Sequence, residues 1–238
     1  MFKPQMIAEN VKNIQEKIKN ACIAAGRNPD SVTLIAVTKT FGFLDVDEVV
    51  RAGVQDIGES YVQEVREKKP KVSESGIRWH FLGHLQSNKV KYIAEWVHLI
   101  HSVDHENVAA EIQKRGAMLA RVMDVLIEVN TSGEPSKFGV RPSQAIELVN
   151  KMSSQPNMKV RGLMTVGPFT SDLEESRRSF RLLKSVFDEI NDAKVLQEPM
   201  QHLSMGMTHD FEVAIEEGST MVRIGTAIFG TRPKPNVH

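Results

Sequence analysis

The stretch Thr33-Leu34-Ile35-Ala36-Val37 is a short, continuous and mainly apolar run, which is typical of a strand buried on both faces. An amphipathic helix precedes it, because apolar residues recur at three- and four-residue spacing from Ile7 to Cys22 and Gly26 is placed to end the helix. A second helix-like stretch, at 45–52, follows it. The chain therefore begins to alternate between strands and helices at Thr33.

The same strand-like texture recurs along the chain, and a helix-like stretch lies between each pair of strands. The predicted strands are 33–37, 56–58, 77–82, 97–100, 125–129, 160–164, 201–203 and 221–224. The predicted helices between them are 45–52, 61–69, 88–95, 105–118, 142–152, 173–190 and 210–217. Strict alternation requires a parallel sheet, and eight strand-helix units close into a barrel.

We therefore predict an α/β protein with one domain over residues 1–238, a (β/α)8 TIM barrel with an extra N-terminal helix that could plug the barrel base. The alternative is a doubly wound open sheet. It is disfavoured because no glycine-rich dinucleotide turn follows the first strand.

The balanced charge and the lack of long apolar segments indicate which partners and which compartment to expect. Thirty Lys and Arg residues balance thirty Asp and Glu residues, whereas nucleic-acid binding usually leaves a basic excess. The start of the chain lacks the apolar segment of a signal peptide, and no run approaches about eighteen apolar residues. The single cysteine, Cys22, allows no internal disulfide. These features predict a cytoplasmic protein that binds neither nucleic acid nor a membrane.

The residues at the carboxyl ends of the strands are the candidates for chemistry, because barrel active sites lie there. Lys39 follows the first strand, where a poorly hydrated barrel mouth favours an uncharged, nucleophilic amine. A lysine that reaches out to solvent is the alternative. Ser204-Met205-Gly206 and Arg223-Ile224-Gly225-Thr226 end strands seven and eight, where barrels often bind phosphate. Ordinary turn chemistry is the alternative there, but a reactive lysine and a phosphate site together indicate a phosphorylated aldehyde.

Six segments carry these residues and run in order along nearly the whole chain. They read VTKT at 37–40, GESYVQE at 58–64, WHFLGHLQSNK at 79–89, RGLM at 161–164, LSMGM at 203–207 and GSTMVRIGTAIFG at 218–230. Together they resemble the pyridoxal phosphate homeostasis protein family. The resemblance implies a single-domain barrel, similar to the N-terminal domain of alanine racemase, that binds pyridoxal 5'-phosphate.

The resemblance also implies roles around the cofactor ring. Lys39 would hold the cofactor as a Schiff base, and Arg223 would face the pyridine nitrogen. Met164 would pack on the ring, and Lys137 would lie near the phenolic oxygen. Ser60 departs from the family pattern, which commonly has asparagine at this position.

The phosphate site implied by the resemblance is built from the last two strand ends. Ser204, Gly225 and Thr226 would hold the phosphate, and Gly206 and Met207 would lie near it.

The function implied by the resemblance is vitamin B6 homeostasis, in which the protein holds the cofactor or delivers it to apoenzymes, without established catalysis. An arginine opposite the ring nitrogen weakens the electron sink that transaminases build there with a carboxylate. An amino-acid racemase is the alternative, but it needs a second proton donor. Tyr61 and Tyr92, the two tyrosines, match no racemase motif, and the residues after Gly230 are too few for a racemase C-terminal domain. A Schiff-base aldolase that uses Glu59 is less favoured.

Histidines cluster in one part of the sequence, and a metal site is the obvious alternative to a structural role. No HExxH pattern is present, and the residues spread over two predicted strands and their loops. We therefore predict satisfied or solvated imidazoles and no metal site. The residues are His80, His84, His98, His101 and His105.

Overall fold

A computed structural model describes residues 4–231, which form a closed barrel of parallel strands. Each strand pairs with its neighbour in the sequence, and the last strand closes the barrel against the first. The predicted (β/α)8 barrel is confirmed. The strands are β1 Thr33–Val37, β2 Asp56–Glu59, β3 Arg78–Phe81, β4 Leu99–Val103, β5 Met123–Glu128, β6 Met158–Met164, β7 His202–Ser204 and β8 Met221–Ile224.

The helices lie between the strands as the alternation predicts. They are α1 Pro4–Ala24, α2 Phe43–Arg51, α3 Val62–Lys68, α4 Ser87–Val90, α5 Glu106–Met118, α6 Pro142–Ser153, α7 Leu173–Asp192, α8 Phe211–Glu216 and α9 Thr226–Phe229. Within residues 4–231, none of these helices combines the length and the apolar character that a membrane crossing needs.

The strand that differs most from the prediction is β4, which runs to Val103 and not to residue 100. Its second half contains His101 and Ser102, and both are fully buried. Polar residues interrupt the apolar pattern that marks a strand in the sequence, but here each makes a hydrogen bond inside the protein. Helix α4, which precedes β4, is a single turn that ends at Val90. The chain then continues in turns to residue 96.

The N-terminal helix does not plug the barrel base, so that part of the prediction is wrong. Helix α1 packs against α2, α8 and α9 in the outer ring of helices. Its apolar residues, including Ile14, share one cluster with Val222 and Ile224 of β8. Because, within residues 4–231, only the short α9 follows β8, the outer faces of β8 and β1 need another cover, and α1 supplies it. Asn10 fixes this position by donating from Nδ2 to the carbonyl oxygen of Ile228 at 2.9 Å.

The inside of the barrel is partly apolar and partly polar. A small apolar cluster contains Ile35, Leu99, Leu126, Met164 and Met221. Buried polar and charged side chains at other positions of the strands occupy part of the remaining interior. They include His80 of β3, His101 of β4, Ser204 of β7 and Arg223 of β8.

We expect Ile14→Ala to destabilise the protein, because Ile14 is only 5% exposed in the cluster between α1 and the barrel. The loss should be about 2–4 kcal/mol, the usual cost of truncating a buried isoleucine. Urea unfolding measures it as a lower midpoint with an unchanged slope. The exposed Lys12→Ala in the same helix is the control and should change stability by less than about 0.5 kcal/mol. Equal effects of the two variants would contradict this position for α1.

Candidate functional site

A pocket of about 380 Å³ lies at the carboxyl ends of the strands, where the sequence predicts the chemistry. Five of the predicted residues line it: Lys39, Met207, Arg223, Gly225 and Thr226. The structure therefore brings the candidate nucleophile, the arginine and part of the predicted phosphate site into one cavity. Ser60, Thr208 and His209 also line the pocket.

The backbone on both sides of Lys39 is held by a buried charge network. Lys68 Nζ donates to the Thr38 carbonyl oxygen at 2.8 Å, to Glu59 Oε1 at 2.7 Å and to Glu64 Oε2 at 2.6 Å. The Thr38 hydroxyl donates to Glu59 at 2.6 Å, and the Thr40 N–H donates to Glu64 at 2.7 Å. Lys39 thus sits between two clamped residues.

Thr40 shows the effect of this clamp on the backbone. Its φ of +71° is in the left-handed region, which is strained for a β-branched residue. The Glu64 carboxylate that accepts its N–H stabilises this conformation. The turn directs the chain from β1 into α2 immediately after Lys39.

Glu59 is part of the network that holds the backbone around Lys39, and it does not line the pocket. Its side chain is fully buried. Burial raises the pKa of this carboxyl, although Lys68 and the Thr38 hydroxyl act in the opposite direction. Among the buried side-chain atoms that the structure describes, Glu59 Oε2 has no hydrogen-bond partner. Since its other oxygen is committed to Lys68 and Thr38, Glu59 is poorly placed to act as the acid or base of an aldolase.

Arg223 brings a buried positive charge to the pocket. Its Nη1 donates to Ser204 Oγ and its Nη2 donates to the Thr165 carbonyl oxygen, both at 2.8 Å. Burial lowers the pKa of the guanidinium to about 10, against the attraction of Asp210 and Glu128. Arg223 is therefore still a cation at neutral pH.

Four predicted site residues lie outside the pocket lining: Ser204, Met164, Gly206 and Lys137. Ser204 is fully buried, and its hydroxyl contacts Arg223 and His101. Met164 belongs to the apolar cluster inside the barrel. Gly206 has a φ of +93°, and a Cβ there would lie 2.5 Å from the Ala214 Cβ, so close packing on α8 accounts for this glycine.

In the loop after β7, the hydroxyl that lines the pocket is that of Thr208, which was not predicted from the sequence. Thr208 lies four residues after Ser204, in the loop after β7. Nothing in the residue types distinguishes the two hydroxyls. The two hydroxyls differ only in position, because the Ser204 side chain points into the barrel at the end of β7.

Lys137 holds the loop between β6 and α7. Its Nζ donates to Glu134 Oε1 at 2.5 Å and to the Gly167 carbonyl oxygen at 2.8 Å. Val166 and Phe169, in the same loop, line the pocket. Lys137 therefore fixes one wall of the pocket from outside. Among residues 4–231, no three His, Cys, Asp or Glu side chains converge as metal ligands.

Comparison with known proteins identifies the family. The family model for the alanine racemase N-terminal domain matches residues 4–233. The pyridoxal phosphate homeostasis protein of Aquifex aeolicus is 45% identical over 224 residues, which are 94% of this chain and 97% of that protein. The protein of the same name from Escherichia coli K12 is 37% identical over 229 residues, 95% of this chain and 97% of that protein. The chain belongs to the pyridoxal phosphate homeostasis protein family.

Solved structures agree with this membership. PipY of Synechococcus elongatus, solved with pyridoxal phosphate bound, has a TM-score of 0.82 and 29% identity, and the match covers 94% of this chain and all of that one (100%). Alanine racemase of Clostridium difficile has a TM-score of 0.73 at 16% identity, over 97% of this chain and 59% of that one. At that identity the racemase shares only the barrel with this member of the pyridoxal phosphate homeostasis protein family.

A second buried carboxyl with a raised pKa, that of Glu128, lies at the end of β5. It is 6% exposed. Burial, and then repulsion by Asp104, raise the pKa of its carboxyl to about 7, against the attraction of Arg223. Because the folded protein holds this proton to a higher pH than the unfolded chain, the stability that Glu128 contributes is complete below the pKa of the unfolded chain. It is lost as the pH rises toward 7.

We expect Glu128→Gln to become more stable relative to the wild type as the pH rises from about 5 to about 8, because glutamine does not titrate. The gain should be about 2–3 kcal/mol, measured by urea unfolding across this pH range. The exposed Glu16→Gln in α1 is the control and should follow the wild-type pH dependence. Parallel wild-type and Glu128→Gln curves would show that the buried carboxyl does not titrate as described.

Proposed function

We propose that this protein binds pyridoxal 5'-phosphate in the pocket at the barrel mouth and holds it for delivery within vitamin B6 homeostasis. The single observation that carries the proposal is the convergence of Lys39, Arg223 and the Gly225-Thr226 turn on one cavity. The names of the Aquifex and Escherichia relatives, and the cofactor bound to PipY, support it. The proposed partners are apoenzymes that need this cofactor, and the proposed compartment is the cytoplasm.

The pocket fits a ligand of this size and chemistry. A volume of about 380 Å³ lies in the range of sites for small molecules and cofactors. When bound, pyridoxal phosphate supplies an aldehyde carbon that an amine attacks with loss of water. Lys39 supplies the amine, and the network of Glu59, Glu64 and Lys68 holds the backbone on either side of it.

The phosphate site lies at the loops after β7 and β8. Thr208 and Thr226 offer hydroxyl groups in the pocket. Gly225 and Thr226 begin α9, and the first N–H groups of a helix have no acceptor within the helix. A Cβ on Gly225 would lie 3.3 Å from the Val37 carbonyl oxygen, so glycine keeps the turn close to β1. Met207 lines the same side of the site. In this proposal the Ser204 hydroxyl contacts Arg223 and not the phosphate. Thr208 supplies the phosphate contact that was predicted for Ser204.

Arg223 faces the ring nitrogen in this proposal. A guanidinium donates hydrogen bonds and never accepts them, so it keeps the nitrogen unprotonated and weakens the electron sink of the ring. Met164 stays in the interior cluster, and Lys137 acts through the loop that it holds, which carries Val166 and Phe169.

A carrier role fits these residues better than amino-acid racemisation. A racemase needs a second group that protonates the opposite face of the substrate. Among the described residues no tyrosine lines the pocket, and His209 is the imidazole that does. Phe169 lines the pocket and is fully exposed, so no described residue covers that side of the site. An open site favours exchange of the cofactor over protection of a carbanion.

We expect the loaded protein to reactivate an apoenzyme that needs pyridoxal phosphate, and to leave L-alanine and other amino acids unchanged. Enzyme assays measure the first result and chiral analysis after long incubation measures the second. Lys39→Ala is the control and should deliver no cofactor. Racemisation on the order of one turnover per second that is lost in Lys39→Ala would contradict the carrier role, and its loss in His209→Ala would identify the second acid.

A further inference from the structure

A chain of hydrogen bonds crosses the inside of the barrel, and the proposed function does not explain it. At the amino ends of the strands, Arg78 pairs with Asp56 through two contacts. Asp56 Oδ1 lies 2.9 Å from His80 Nε2, and His80 Nδ1 lies 2.9 Å from His101 Nε2. Both imidazoles are buried, with 1% and 0% exposure.

The same chain continues to the pocket. His101 Nδ1 lies 3.0 Å from Ser204 Oγ, and Arg223 Nη1 donates to that oxygen at 2.8 Å. The chain therefore links Asp56 at one end of the barrel to the pocket-lining cation at the other end. Its members come from β2, β3, β4, β7 and β8.

The positions of the hydrogens at the Asp56 end follow from the charge of Asp56. Burial alone would raise the pKa of this carboxyl, but hydrogen bonds from His80 and Arg78 lower it to about 2. Asp56 is therefore a carboxylate that only accepts. His80 must donate to it from Nε2.

The positions at the Arg223 end follow from the guanidinium, which only donates. Ser204 Oγ accepts from Arg223, so its own hydrogen goes to His101 Nδ1. Burial holds the pKa of His101 well below its usual value, so this ring carries one hydrogen, on Nε2, which it donates to His80 Nδ1. Every bond then has one hydrogen and all run in one direction, from Arg223 to Asp56.

The reverse arrangement leaves a buried group without a partner. If His80 donated to His101, His101 would donate to Ser204, and the Ser204 oxygen would accept two hydrogen bonds. Its own hydrogen would then have no acceptor among the contacts of the described residues. A buried donor without an acceptor is destabilising, which favours the first arrangement.

We propose that Asp56, His80, His101 and Ser204 form a positioning relay that fixes the Arg223 guanidinium against the ring nitrogen of the bound cofactor. This inference rests on the proposed function for the identity of the ligand. Ser204 then acts through Arg223 and does not bind the phosphate. The relay gives Ser204 a fixed acceptor for its hydrogen, so its lone pair always faces Arg223.

The experiment compares three ligands on Ser204→Ala and the wild type. The ligands are pyridoxal phosphate, pyridoxal, and the deaza analogue of pyridoxal phosphate, in which a carbon replaces the ring nitrogen. Ser204→Ala should weaken binding of pyridoxal phosphate and of pyridoxal by about tenfold. It should change binding of the deaza analogue by less than about twofold, since the atom that Arg223 contacts is gone. His98→Ala is the matched control, because the His98 ring packs against His80 but makes none of the hydrogen bonds described above. This variant should change none of the affinities.

The opposite pattern would overturn the proposal. Loss of affinity for both phosphorylated ligands with no loss for pyridoxal would make Ser204 a phosphate ligand. Equal losses for all three would give Ser204 only a structural role.

Imidazole nitrogen NMR of the protein without cofactor tests the relay independently of the ligand. Both His80 and His101 should carry their hydrogen on Nε2, with an unprotonated Nδ1. A hydrogen on Nδ1 of either ring would overturn the direction of the chain. If none of the three ligands bound, the proposed function would fail, and this spectrum would still decide whether the relay exists.

Discussion

The barrel mouth depends on the burial of one positive charge. Arg223 is 6% exposed, and a buried cation is costly unless acceptors surround it. Ser204 and the Thr165 carbonyl supply those acceptors, and Ser204 in turn needs His101. The polar interior of the barrel therefore follows from a single requirement at its mouth.

Lys39 is held by a second and separate set of interactions. Lys68 lies between Glu59 and Glu64, and through them it fixes the residues before and after Lys39. Lys39 lies in the turn after β1 and its clamp in β2 and α3, whereas Arg223 lies in β8 and the hydrogen bonds behind it run through β7, β4, β3 and β2. The pocket forms where these two sets of interactions meet.

The sequence predicted the fold well because buried parallel strands are continuous apolar runs. The limits of β1 and β8 agree with the prediction at both ends. Prediction was poorer where a strand carries polar residues, as β4 does at His101, because periodicity records hydropathy and not hydrogen-bond partners. The place of α1 was also missed. Helical periodicity shows that a helix has an apolar face, but not which surface covers it.

The candidate site was predicted in part for a similar reason. Lys39, Arg223 and Thr226 were accessible to sequence reasoning because they end strands in a recognisable family pattern. The division of roles between Ser204 and Thr208 depends on which hydroxyl points into the barrel. The pairing of His80 with His101 depends on the register of β3 and β4. Neither is contained in residue types and spacing.

The central claim is that Lys39 is the residue that holds the cofactor. Borohydride reduction of the protein with pyridoxal phosphate, followed by peptide mass spectrometry, tests it most directly, because reduction makes the lysine attachment permanent. The account predicts a pyridoxyl group on Lys39 and no label in Lys39→Ala. A label on another lysine, with Lys39 unmodified, would contradict it.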